Sequence, residues 1–187
     1  MKEMQANIWT ENRTKKYYDA ARRVDKILGG YVGENLPEIV IIDSRKLPKT
    51  VAASYQQSKE VLYINSDILR DYESTQNYLK DGYFAALDAN CIIRHEMIHK
   101  RNWDKAEAEY RAYPNKYRNL DDAIAQLDLP VYSYFERIAR SEPSLLRQSE
   151  YLRTAISLCN YREIVAELNV SDLQDERLIR LLKGVLK

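Results

Sequence analysis

Cysteine is nearly absent from this chain. Cys91 and Cys159 stand far apart with no C-x-x-C spacing, which excludes a disulfide framework and a zinc knuckle and points to a reducing compartment. Histidine is equally scarce, so any chemistry that needs imidazole must use His95 and His99, the two that the sequence holds. No apolar run approaches the roughly 20 residues that a membrane-crossing helix requires, and the segment from Met1 to Lys16 has no apolar signal core. The expectation is a cytoplasmic protein with no membrane partner. Nor does one sign of charge prevail: 29 lysines and arginines face 28 aspartates and glutamates. A surface built to hold nucleic acid would need a basic surplus, and this balance provides none, so no nucleic-acid partner is indicated. Phenylalanine occurs twice and tyrosine fifteen times, an amphipathic aromatic bias that names no function.

What is present describes one α+β domain over 1–187, large enough to bury a core. Tyr17, Ala21, Val24 and Leu28 keep helical spacing from Glu11 to Leu28, and Gly29 with Gly30 supplies a stop. The β-branched run from Glu38 to Asp43 reads as a buried strand. Val51 to Tyr55 and Val61 to Ile64, separated by a polar stretch, read as a hairpin, which gives a small twisted sheet. Asn65 or Ser66 is expected to cap a helix opened by Asp67. A longer helix is predicted from Tyr83 to Asn102, on the period of Phe84, Leu87, Cys91, Ile92 and Ile98. Beyond Trp103 the chain should be short helical pieces divided by Pro114, Pro130 and Pro143, with an amphipathic helix from Asp172 to Leu186. The domain then has two parts: 1–102 with the sheet and long helix, and a helical half over 103–187.

The long helix contains His95-Glu96-Met97-Ile98-His99, an H-E-x-x-H pattern. Side chains four apart project from one helix face, so two imidazoles can approach one ion at about 2.0–2.1 Å, as zinc–nitrogen bonds require. Glu96, one step round, can take a proton from a water that the ion acidifies toward a pKa of about 7. The pattern therefore supplies two ligands for one Zn2+ per chain and a general base.

Catalytic zinc usually has three protein ligands and one open position. No third histidine exists, and Asn102 stands where the extended H-E-x-x-H-x-x-G-x-x-H pattern needs glycine. The third ligand must then be a carboxylate or a cysteine, and the best candidates are carboxylates. Glu163 and Glu167 share a helix face amid Ile164, Val165 and Ala166; one could bind zinc while the other orients a liganding histidine through its free ring nitrogen. Glu107 and Glu109 lie on the continuation of the histidine helix, which carries them away, and Glu136 is a further rival.

His95, Glu96, His99, Glu163 and Glu167 together resemble the gluzincin superfamily of metallopeptidases, whose H-E-x-x-H is followed by a downstream helix of the form E-x-x-x-D or E-x-x-A-E. The Glu163-Ile-Val-Ala-Glu167 box is similar to that of anthrax-lethal-factor-like toxins and of zincins from phages and mobile elements, and on that likeness the protein could be phage-associated. The resemblance covers about Ile39 to Glu167. It implies a zincin-like fold, Glu163 as the zinc ligand, Glu167 as the residue behind a liganding histidine, and a peptide or protein substrate. The hairpin resembles the zincin edge strand that pairs with an extended substrate. The likeness also implies a tyrosine as oxyanion partner, for which Tyr151 is the candidate and Tyr161 and Tyr134 are substitutes. Lys100 and Arg101 depart from the pattern, which favours uncharged residues after the second histidine. The expected activity is zinc-dependent peptide hydrolysis. Its alternative is a non-catalytic zincin-fold structural or assembly protein of a phage or mobile element.

Overall fold

The computed structural model describes residues 6–186 apart from Val32, Lys49, Leu173 and Gln174. Among them lie a four-stranded mixed sheet in the N-terminal part and seven α-helices, mostly in the C-terminal half, so the fold is α+β. The chain divides into two compact units, Met1–Asp81 with Leu87–Glu96, and Gly82–Ala86 with Met97–Lys187.

In the first unit, strands β1 (Ile8–Thr10), β2 (Glu38–Ile42), β3 (Ala53–Gln56) and β4 (Val61–Asn65) lie in the order β1-β2-β4-β3. β1, β2 and β4 are mutually parallel, and β3 runs antiparallel to β4 at the edge. One face is closed by Ile39 and Ile41 of β2 opposite Leu62 and Ile64 of β4, all fully buried. Each such side chain contributes about 1.5–3 kcal/mol through burial. Helix α1 (Lys15–Leu28) starts later than its apolar spacing predicts, after Thr14, and buries Tyr17, Ala21, Val24 and Leu28. The hairpin forms as expected, turning through a left-handed Glu60 at φ 53°. Strand β1 has no counterpart in the sequence reading: three residues in a polar segment become a strand only because β2 offers its edge. The helix expected at Asp67 also begins later. Asn65 accepts the Asp67 N–H, and α2 (Tyr72–Leu79) is capped instead by Asp71, which accepts the Ser74 N–H.

Helix α3 (Ala89–Ala112) passes from the first unit into the second. It begins six residues after Tyr83 because Asp88 is its cap, accepting the Cys91 N–H at 2.8 Å, and it runs ten residues past Asn102. In the second unit α4 (Leu120–Ser141) is one continuous helix through Pro130, where the sequence predicts a break. Its buried face of Ile124, Val131, Phe135 and Ala139 outweighs the hydrogen bond that proline cannot make. Helices α5 (Glu150–Ser157), α6 (Tyr161–Val170) and α7 (Glu176–Leu186) complete the unit. The last helix is expected from Asp172, whereas α7 begins at Glu176; Leu173 and Gln174 lie outside the described residues. Phe135, Leu152, Ile164, Val165, Leu178 and Leu182 share one apolar core. No described helix is long and apolar enough to cross a membrane.

Candidate metal centre

Helix α3 buries Ile92, Ile93, Met97 and Ile98, which leaves His95, Glu96 and His99 half-buried beside that apolar face. Ile98 belongs to the same apolar cluster as Ile164 and Val165 of α6. The packing of these neighbours brings His99 and Glu163 together, with His99 Nε2 3.4 Å from Glu163 Oε1. His95 stands one turn earlier on the same continuous helix. One ligand atom from each of His95, His99 and Glu163 lies within 4.8 Å of the other two, a possible metal site.

Distance decides what the His99–Glu163 pair is suited to. An N–H···O hydrogen bond closes to about 2.9–3.0 Å. Two ligands at about 2.05 Å from one tetrahedral zinc stand roughly 3.3 Å apart, close to what is seen here. Two imidazoles and one carboxylate are also a donor set that zinc accepts. The residues present therefore fit the ion. Asn160 starts α6, its side chain accepting the Glu163 N–H at 3.5 Å, which places Glu163 in the first turn.

Glu96 lies by the edge of the sheet. Its Oε2 accepts the backbone N–H of Tyr55 in β3 at 2.7 Å. Glu167 is fully buried, and its Oε1 accepts the Ala85 N–H at 2.5 Å and the Ser149 hydroxyl at 2.6 Å. It thus anchors the segment just before α3 and, through Ser149, the start of α5, where Ser149 caps the Leu152 N–H at 3.0 Å. Tyr151 donates its backbone N–H to the Tyr83 carbonyl at 2.9 Å, and its ring lies against those of Tyr83 and Phe84. Of the rivals, Glu136 pairs with Arg140 and Glu107 with Arg111, each at 2.7 Å. Glu107 and Glu109 ride on α3 roughly 12 Å or more beyond His99 at 1.5 Å per residue. Lys100 is buried with Nζ 2.5 Å from both Asp104 oxygens, so the charge that departs from the family pattern is met one turn along its own helix.

The sequence reading passed over Asp128. It is fully buried on α4 and accepts the Asn102 amide at 2.7 Å. Burial pushes its carboxyl up to about 6, while the Asn102 hydrogen bond and the charges of Arg162 and His99 pull the other way. A signal was available: Asp128 interrupts the apolar stripe of Ile124, Val131 and Phe135 at helical spacing. A scan against protein-family models and searches of the curated proteins and the solved structures find no match for this chain.

Proposed function

We propose that this chain is a zinc-dependent metallopeptidase of the gluzincin kind, with His95, His99 and Glu163 as ligands and Glu96 as general base. The observation that carries the reading is the convergence of three zinc-competent donors from two helices within 4.8 Å. Zinc held there would supply Lewis acidity toward a peptide carbonyl and lower the pKa of water toward about 7. The protein's own part follows from its residues. Glu96 keeps one carboxylate oxygen on the Tyr55 N–H, and its carboxylate is the group that would accept a proton from water. Strand β3 is antiparallel at the sheet edge and beside Glu96, which supports pairing with an extended polypeptide substrate. Tyr151 is the proposed oxyanion partner, on a helix that packs against α6.

Glu96→Gln keeps the shape and an acceptor oxygen but cannot take a proton at neutral pH. It should retain zinc and lose hydrolysis of a broad peptide library by roughly 10²-fold or more. Full activity in that variant contradicts the mechanism. A wild type that holds zinc and cleaves nothing returns the structural or assembly alternative.

A further inference from the structure

A glutamate on a helix flank has several torsions to fix before its carboxylate can serve as a base, and something must hold it. The peptide groups of β3 show what does. Asn65 donates its N–H to the Ala52 carbonyl, so the alternation of an antiparallel pair turns the peptide groups of Ala52, Ser54 and Gln56 toward β4. Those of Ala53 and Tyr55 turn outward, since no strand lies beyond β3 in the described sheet. The outward Tyr55 N–H meets Glu96 Oε2 at 2.7 Å, the length of a charge-assisted hydrogen bond. Its donor is itself fixed, because the Tyr55 ring is buried and pairs across from Leu62, which is fully buried.

We propose that the Tyr55 peptide N–H is a positioning group for Glu96, one that holds the carboxylate in a set orientation from a rigid strand edge. The inference rests on the metallopeptidase reading for its catalytic meaning, and on the hydrogen bond alone for its structural content. With one oxygen committed to the strand, the carboxylate has fewer orientations open to it. The bond also affects how a ligand strand is registered. A peptide laid along β3 meets outward groups at Ala53, but at the Tyr55 N–H it meets Glu96, so base and substrate are held by one edge.

Amide hydrogen exchange, read residue by residue by NMR, tests the contact without requiring metal or activity, and so holds or fails independently of the metallopeptidase reading. The Tyr55 amide should be protected in the wild type and remain so in Glu96→Gln, whose side chain still offers an acceptor. In Glu96→Ala it should exchange on the order of tenfold faster, while the Leu62 and Ile64 amides, facing within the sheet, stay as they were. Tyr55→Pro removes the N–H without breaking a bond to β4, and Tyr55→Ala removes the ring alone. Against Tyr55→Ala, the proline variant should lose roughly tenfold or more in kcat with KM little changed. Equal exchange of the Tyr55 amide in wild type and Glu96→Ala overturns the proposal, as does equal kcat in the two Tyr55 variants.

Discussion

The two units bury different kinds of polar side chain. Among the described residues of the sheet unit the buried ones are neutral: Asn65, Ser66 and Thr75. In the helical unit they include Lys100, Asp128 and Glu167, beside Asn102 and Ser149. Burying an ionised group costs several kcal/mol before partners offset it, and in the helical unit Asp104 meets Lys100 while Asn102 meets Asp128. The locations are informative. Lys100 follows His99, Asn102 with its partner Asp128 lies on the next turn, and Glu167 is one turn beyond Glu163. Buried ionisable side chains thus gather, along the chain, next to the residues of the possible metal site.

The sharpest way to break this contrast is Glu167→Ala. Removing the carboxylate leaves the Ala85 N–H and the Ser149 hydroxyl without their buried acceptor, and should lower unfolding free energy by about 3–5 kcal/mol in urea titration. A cost under about 0.5 kcal/mol, as at an ordinary surface site, would erase the difference between the units.

Asp128 sharpens the contrast through pH. Its carboxyl titrates near 3.8 when unperturbed and is pushed up to about 6 in the fold. Between those values the folded state holds more protons, so stability falls as pH rises through that window and the ionised group is unfavourable above it. The full difference is on the order of 3 kcal/mol at 1.36 kcal/mol per pKa unit. Asp128→Asn should therefore raise the denaturation free energy at pH 7 by roughly 2–3 kcal/mol, leave it nearly unchanged at pH 4, and flatten the profile between. A variant no more stable at pH 7 would show that the buried charge is fully compensated.

The smallest effect on the metal-free fold belongs to Glu163→Ala. Glu163 is only partly buried and lies against His99, so truncation should move metal-free stability by less than about 1 kcal/mol. The same variant should weaken zinc binding far more than Glu167→Ala, whose loss should be about 10–100-fold in a chelator competition. The reverse ranking would exchange the two roles.

How much of this could be read from sequence depends on how local each feature is. The histidine pair was legible because a spacing of four on a helix is set within one turn, and the hairpin because turn residues and alternation lie side by side. Glu163 was legible as a candidate for the same reason, and the resemblance then selected it; its approach to His99 depends on Ile98 meeting Ile164 and Val165. The Tyr55–Glu96 bond was invisible, because it joins residues 41 apart through the register of an edge strand. Strand β1 and the passage of α4 through Pro130 were missed since tertiary packing decided both against local propensity. Asp128 lay in plain view as a carboxylate in an apolar stripe.

Whether His95, His99 and Glu163 hold one zinc ion is decided by elemental analysis of chain purified without chelator. The account predicts about one zinc per chain in the wild type and loss of the metal in both His95→Ala and His99→Ala. Metal retained by both variants at the wild-type ratio would contradict it.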